Sequence, residues 1–401
     1  PSPPYPYREK RLELVTLPDG AVRNVYRGVS WKARLGQIID DNVARREDPR
    51  ISSAASYATR HNVRTGLFRL FTVLRAELGF KIENPARIEA RHLQALWDWM
   101  ERQWRAGELA DSTIQGYCSY LRKFCGWIGQ PKLIEYGKVV FKDPACGRRE
   151  LMAHRDKSWE ANNVDIAAVI DRAWDIEPWV AMALLAQAAF GLRRKESVCL
   201  RPASDYLDHG VLAITRGTKG GRVRNVFLMS RWQYEVLAIL IEFCRRDGAL
   251  KCYIGGTDRD LRANLRRYNY IVGEKLGITK DLVGTTGHGL RAGFGCRLLE
   301  AYGITAPVRG GDVAQADEQT RERAYKLTAE AMGHSRTSIV GAYCGSVRMK
   351  GDAPHPDDVD VERIDPPNME GLIEKLRQAR RDLKRDEAQL RRFARIYKEA
   401  R

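Results

Sequence analysis

Apolar positions in SSAASYATRHNVRTGLFRLFTVLRAELGF recur at helical spacing, with Val63, Leu67, Leu70, Phe71 and Leu74 on one face. Ser52 or Ser53 is the expected N-cap and Gly79 the stop. ARHLQALWDWMERQWRAG repeats the pattern and stops at Gly107. A third such helix, DSTIQGYCSYLRKFCGWIG, is expected to be capped by Asp111 or Ser112 and to end at Gly129. Each of these helices has an apolar face that needs a neighbour, so 51–135 is expected to be a small helical bundle. Farther on, NNVDIAAVIDRAWDI reads as a helix capped near Asn163, and EPWVAMALLAQAAFGLRRKESVCL as a helix broken at Gly191 and then resumed. WQYEVLAILIEFCRRDG reads as a buried helix, LRANLRRYNYIVGEKLG as a basic amphipathic one, and TTGHGLRAGFGCRLLEAYG as another. Alternation changes the period in two places. GVLAIT and RVRNVFL flank the turn GTKGG as a β-hairpin, and KRLELVTLPDGAVRNVYRG forms a shorter one about Pro-Asp-Gly.

These elements divide the chain. Residues 1–50 form a basic N-terminal arm containing the short hairpin, and 51–135 the bundle. Residues 136–160, with FKDPACGRRELMAHRDKSW, mix Pro, Gly and charge and read as a linker. Residues 161–350 form a second, mostly helical domain with one small sheet, and 351–401 a linker and a C-terminal helix. In that last helix Leu372, Leu376, Ala379, Leu383, Leu390, Phe393 and Tyr397 follow a 4-3 spacing interrupted by Asp386, with Asn368 as the expected cap. The expectation is an interaction helix that docks on a neighbour or pairs as a coiled coil. The fold class is mainly α.

Composition narrows the partners. The chain of 401 residues carries a net charge of +17 with pI near 9.6, which points to a polyanion, either nucleic acid or an acidic membrane. The longest apolar run, PWVAMALLAQAAFG, is shorter than the ~20 residues of a membrane-spanning helix, and PSPPYPYREKR lacks the apolar stretch of a secretory signal. Eight cysteines (Cys118, Cys125, Cys146, Cys199, Cys244, Cys252, Cys296 and Cys344) form no CxxC and no zinc-ligand spacing with a histidine pair, so reduced thiols are expected.

Candidate chemistry concentrates in the second domain. Arg193 sits in AFGLRRKES, Lys219 in RGTKGGRVRNVFL, His288 and Arg291 in HGLR, and His334 and Tyr343 in GHSRTSIVGAY. Together these six resemble the active site of the tyrosine recombinase (phage integrase) family. That family's pattern is an Arg after Gly-Leu, a Lys on a β-hairpin, His-x-x-Arg, Gly-His, and a Tyr nine residues beyond that His. The resemblance covers roughly 160–348 most firmly and 51–135 more weakly, and does not reach the first fifty or last fifty-odd residues. It implies a helical core-binding domain ahead of a mostly helical catalytic domain with a small β-sheet.

The residue types suit that chemistry. Breaking a phosphodiester without water needs a protein nucleophile, charge on the pentavalent phosphate and an acid for the leaving 5′-oxygen. The resemblance assigns Tyr343 as nucleophile, with Cys344 the neighbouring rival. Arg193 and Arg291 would clamp the non-bridging oxygens, because a guanidinium fork donates paired charge-assisted hydrogen bonds. Arg194 is the rival to Arg193, and Glu196, three residues on, would orient Arg193. Lys219, between glycines, would protonate the leaving oxygen. His334 would contact phosphate, and His288 would handle a proton or support Tyr343. His61, His92, His154, His209 and His355 have no such setting. No cofactor is signalled: there is no P-loop and no carboxylate cluster of two-metal type.

The implied function is a site-specific recombinase or integrase of a mobile element, acting through a 3′-phosphotyrosyl intermediate. It would act on double-stranded DNA as a homotetramer on two paired sites, in the cytoplasm of a bacterial cell at the nucleoid, with an accessory DNA-binding protein as a further partner and no membrane. Arg102, Arg105, Arg122 and Lys123 on the bundle, and Arg148, Arg149 and Arg155 on the linker, are the candidate phosphate contacts; each has a solvated helix face or a tether as its alternative. Trp97, Trp99 and Trp104 read as core. The rival functions are a type IB topoisomerase-like enzyme and a non-catalytic DNA-binding accessory protein. The stretch 304–330, longer than the family's usual gap between Arg291 and Gly333, reads as a surface loop followed by a helix that presents His334.

Overall fold

The computed structural model describes residues 13–16, 22–25, 30–44, 55–134, 141–148, 152–207, 210–221, 223–245, 253–334, 337–344, 361–367, 369, 371–378 and 381. The chain divides into two compact units, Pro1–Glu150 and Leu151–Arg401.

The first unit opens on the expected hairpin, β1 (Glu13–Thr16) paired antiparallel with β2 (Val22–Val25). A helix not anticipated from the arm follows: α1 (Trp31–Asn42), capped by the Ser30 hydroxyl on the Ala33 amide. It places Leu35 and Ile39 in the same core as α2 (Tyr57–Thr72), α3 (Ala90–Arg105) and α4 (Asp111–Trp127). Its apolar positions, Trp31, Leu35, Ile38 and Ile39, keep helical spacing for little more than two turns, too short a run to stand out from the basic arm. The centre of the bundle is Leu67, Phe71, Leu96, Met100, Leu121 and Phe124, with Phe71 edge-on to Phe124 at 5.2 Å. Trp97 and Trp99 are buried and Trp104 packs against the core, as expected.

Several boundaries move. Ser56, not Ser52 or Ser53, caps α2, its hydroxyl accepting from the Thr59 amide; the two earlier serines lie outside the described residues. Neither Asp111 nor Ser112 caps α4, which begins at Asp111 after Ala110. The Asp111 carboxylate is committed elsewhere, accepting from the Gly147 amide at 3.0 Å. Part of the expected linker is therefore bundle: Phe141 meets Trp97 at 6.0 Å, Cys146 is buried, and buried Glu101 accepts the Lys142 and Asp143 amides.

The second unit is built around α6 (Pro178–Phe190), which is buried on every face after its first residue. A helix without a polar stripe must be wrapped by others. Here it packs against α5 (Ile166–Ile176), whose cap is Asp165, not Asn163. Helices α7 (Arg194–Cys199) and α8 (Pro202–Asp205) lead to a three-stranded antiparallel sheet in the order β3 (Tyr206–Leu207), β4 (Val211–Ile214), β5 (Arg224–Phe227). The anticipated hairpin is β4–β5, with Ile214 opposite Arg224; β3, two residues long, carries no readable alternation. Then come α9 (Arg231–Cys244), α10 (Leu261–Tyr270), α11 (Lys280–Val283), α12 (Gly289–Ala301), α13 (Glu318–Ala331) and the short α14 (Gly341–Cys344).

Two C-terminal expectations change. The 304–330 stretch has the expected helix, α13, but the loop before it is not only surface: Ile304, Ala306 and Val313 join Ala324, Tyr325 and Ala329 of α13 in a core with Cys296, Leu299, Val340 and Cys344. Its apolar residues are spread through a polar, Gly-containing sequence, which hides them from a periodicity search. The described part of the C-terminal helix, 372–378, packs on its own unit. Met369, Leu372, Ile373 and Leu376 join the core around α6, and Lys375 pairs with Asp171 on α5. Leu372 and Leu376, expected in an intermolecular seam, are thus spent within the chain. Asn368 and residues 382–401 lie outside the described residues, as do Ala379 and Arg149. Among the described residues no helix is long and apolar enough to cross a membrane.

Candidate active site

Two chain reversals create the site. Helix α6 ends at Gly191, which turns left-handed at φ +58° while its amide bonds back to the Gln187 carbonyl. A side chain there would collide with the Phe294 ring on α12, so Gly191 is required by conformation and by space. Helix α13 ends likewise at Gly333, φ +64°, where a Cβ would strike the Arg224 side chain. The carbonyls at the ends of these helices lack intrahelical donors. Three guanidiniums satisfy them.

Arg291, fully buried on the first turn of α12, donates to the Gly191 and Met332 carbonyls, and its Nη2 lies 3.4 Å from His334 Nε2. Arg193 begins α7 and donates through Nη2 to the same Met332 carbonyl at 3.3 Å. Arg224 on β5 donates to the Ala331 carbonyl. One carboxylate, Glu196, pairs with two of them. Buried Glu196 accepts from Arg193 Nη1 at 2.6 Å on one oxygen, and from the Arg193 amide at 2.8 Å and Arg224 Nη2 at 2.9 Å on the other. Glu196 thus holds both the side chain and the amide of Arg193.

The rings complete the cluster. Tyr343, half-buried on α14, has His288 and His334 at centroid distances of 5.7 Å each. The Arg291 guanidinium carbon is 5.7 Å from the same ring centre. The structure therefore brings together Arg193, Glu196, His288, Arg291, His334 and Tyr343. Lys219 stands apart on the exposed turn Lys219–Gly221, close enough for its charge to act on His334.

The rivals separate. Arg194 is exposed and donates to Asn269 on α10, away from the cluster. Cys344 is fully buried with its Sγ 3.9 Å from Cys296 Sγ, on the core side of α14.

The electrostatics follow from burial and this excess of cations. Burial pushes the Glu196 carboxyl up, but Arg224, the Arg193 amide and Arg291 outweigh it and hold it below the usual carboxylate range. Burial, then Arg224, lowers Arg291 to about 10, so it stays charged at neutral pH. His334 is pushed down to about 4 by burial and then by Arg291, Arg193, Arg224 and Lys219. His288 moves the same way, through burial of much of its ring and then Arg291, Arg193 and Lys157, although an exposed edge lets solvent soften the effect. Both imidazoles are neutral at pH 7, each with one N–H to give and one nitrogen to accept a proton. With three guanidiniums about one carboxylate, the cluster carries an excess of positive charge suited to an anion.

Arg224 escaped the motif reading although a signal for it exists. In RVRNVFL the alternation that puts Val226 inward puts Arg224 inward too, and a charge at an inward strand position needs a buried partner. Of the basic residues expected on DNA, Arg102, Arg105, Arg148 and Arg155 are exposed, and Arg122 and Lys123 are half-buried. Arg105 pairs with Glu101 at 2.6 Å, and Arg155 reaches the Gly284 carbonyl at 3.4 Å. Among the described residues no group of three His, Cys, Asp or Glu side chains is placed to hold a metal ion.

Comparison with known proteins gives a likeness in structure only. No family model matches the chain, and no curated protein matches it. Among solved structures it is similar to a lambda integrase tetramer bound to a Holliday junction, at 14% identity and TM-score 0.49, over 79% of this chain and 78% of that one. It is similar to the Tn1549 transposon integrase in complex with circular intermediate DNA, at 16% identity and TM-score 0.47, over 78% and 96%. It is also similar to the XerH site-specific recombinase bound to difH substrate before cleavage, at 14% identity and TM-score 0.48, over 78% and 91%.

Proposed function

We propose that this chain is a tyrosine-type site-specific DNA recombinase that cleaves and rejoins strands through a 3′-phosphotyrosyl bond. The observation that carries the reading is the gathering of Arg291, His288 and His334 about the ring of Tyr343, with Arg193 on the same Met332 carbonyl as Arg291. Two guanidiniums held by backbone carbonyls are preorganised for the non-bridging oxygens of a scissile phosphate, so little reorganisation is needed as charge builds on it. His334, beside Arg291, donates its N–H to that phosphate. His288 takes the proton of Tyr343 as the phenol attacks. Lys219, on its exposed turn, closes over the leaving 5′-oxygen and protonates it. The freed 5′-hydroxyl of a partner strand reverses the step, so exchange needs no energy cofactor.

In this reading the enzyme works as a homotetramer on two paired duplex sites, as the integrase of a bacterial mobile element, in the cytoplasm at the nucleoid. Phosphate contacts from the basic bundle face supply most of the affinity. Supercoiled plasmids bearing two copies of a duplex selected by the protein from a random pool test it. Recombinant junctions between the copies support the reading. Relaxation without exchange replaces it with topoisomerase chemistry, and binding with neither replaces it with an accessory role.

A further inference from the structure

The Arg224 side chain is almost wholly buried, at 3% exposure, directly beneath the candidate site. A buried guanidinium costs stability unless its hydrogen bonds are met. Arg224 meets those of its two amino groups, while its buried Nε has no partner among the described residues. One amino group binds the carboxylate oxygen of Glu196 that also receives the Arg193 amide, and lies 3.5 Å from the Gly191 carbonyl shared with Arg291. The other binds the Ala331 carbonyl, two residues before the Gly333 turn that sets His334. Gly333 has no side chain at the point where Arg224 passes beneath that turn. At its backbone end Arg224 begins β5, three residues beyond the turn that carries Lys219.

We propose that Arg224 is a positioning residue of this site, holding Arg193, His334 and the Lys219 turn in one register by bridging Glu196 to the end of α13. The inference rests on the recombinase reading and deepens it. Glu196 has one oxygen for each guanidinium. With Arg224 present, Arg193 engages Glu196 only through Nη1 and its amide, and Nη2 reaches the Met332 carbonyl at the end of α13. Without Arg224, the second oxygen of Glu196 is buried with only the Arg193 amide. Arg193 then folds back onto both oxygens as a bidentate pair, and the clamp on the phosphate is lost. Arg224 touches no substrate, so its effect appears through charge on the scissile phosphate and not in affinity.

The test is single-turnover cleavage of a nicked duplex, of a sequence selected by wild-type binding, with either a normal phosphodiester or an uncharged methylphosphonate at the scissile position. Arg224→Met and Arg224→Lys are compared with wild type and with the double variant Arg224→Met/Glu196→Gln. Arg224→Met is expected to bind within about threefold of wild type and to cleave the phosphodiester about 100-fold more slowly, the scale of losing one preorganised donor. On the methylphosphonate, which asks less of the clamp, the deficit is expected to shrink to under about tenfold. The double variant is expected to be no slower than Arg224→Met, because the two residues act through each other. Equal slowing on both substrates, or additive slowing in the double variant, would overturn the proposal in favour of a merely structural role. If wild type forms no adduct with either duplex, the recombinase reading itself has failed, which is a different result.

Discussion

The guanidinium carbon of Arg291 stands 5.7 Å from the centre of the Tyr343 ring, and Arg291 has no exposure to solvent. The guanidinium thus faces the ring as a cation–π contact away from water. Both amino groups of Arg291 are also committed to carbonyls, Gly191 on one side and Met332 on the other. A lysine carries the charge but not the fork. Arg291→Lys is therefore expected to lower single-turnover cleavage by at least about 100-fold. A rate within about threefold of wild type would mean that charge alone suffices.

The pH dependence has a definite sign. His334 titrates at about 4 in the folded chain, below its usual 6.5, because burial and four cations oppose its charge. The folded state thus binds fewer protons than the unfolded state between those values. Its contribution to stability is complete above about 6.5 and is lost as pH falls toward 4. His288 acts in the same direction. Thermal melts between pH 7 and 4 are expected to fall less steeply for His334→Gln than for wild type. Ring-nitrogen NMR of His334 is expected to show a midpoint that rises when duplex binds; an ordinary midpoint in the free protein would refute the cation cluster.

Gly333 and Gly303 make a matched pair. Both are left-handed, at φ +64° and +83°, but a Cβ at Gly333 would strike Arg224 whereas one at Gly303 meets nothing within 4 Å. Alanine at either site is expected to cost about 1–2 kcal/mol from backbone strain. Only Gly333→Ala is expected to slow cleavage, because it displaces His334. Equal effects on cleavage would mean that the approach of Arg224 to this turn is unimportant.

Tyr325 on α13 has a buried hydroxyl without a hydrogen-bond partner among the described residues, and burial raises its pKa. Tyr325→Phe removes that polar burden and keeps the ring in its core. Chemical denaturation should show a chain as stable as wild type or up to about 1 kcal/mol more stable. A loss of more than about 1 kcal/mol would reveal a partner for the hydroxyl.

The site was legible to the degree that its residues sit at fixed spacings in sequence. Arg193, Glu196, His288, Arg291, His334 and Tyr343 lie in short motifs, and the fold brings them together. Arg224 depends on tertiary partners from α6, α7 and α13, so spacing does not reveal it. The hairpin and the long amphipathic helices were readable because their apolar positions have one period. Helix α1 and the 304–330 core were not, since their buried residues are few and the surrounding sequence is polar. The C-terminal helix shows the opposite limit. Its spacing announces an apolar face, but a face does not say whether its partner is another chain or, as for Leu372 and Leu376, the same one.

Tyr343 is the proposed nucleophile, flanked by His288 and His334. The most direct test mixes the protein with a selected, nicked duplex and looks for an SDS-resistant, protease-sensitive adduct. The prediction is an adduct that peptide mapping places on Tyr343 and that Tyr343→Phe abolishes while duplex binding is retained. An adduct on another residue, or none despite tight and specific binding, would contradict it.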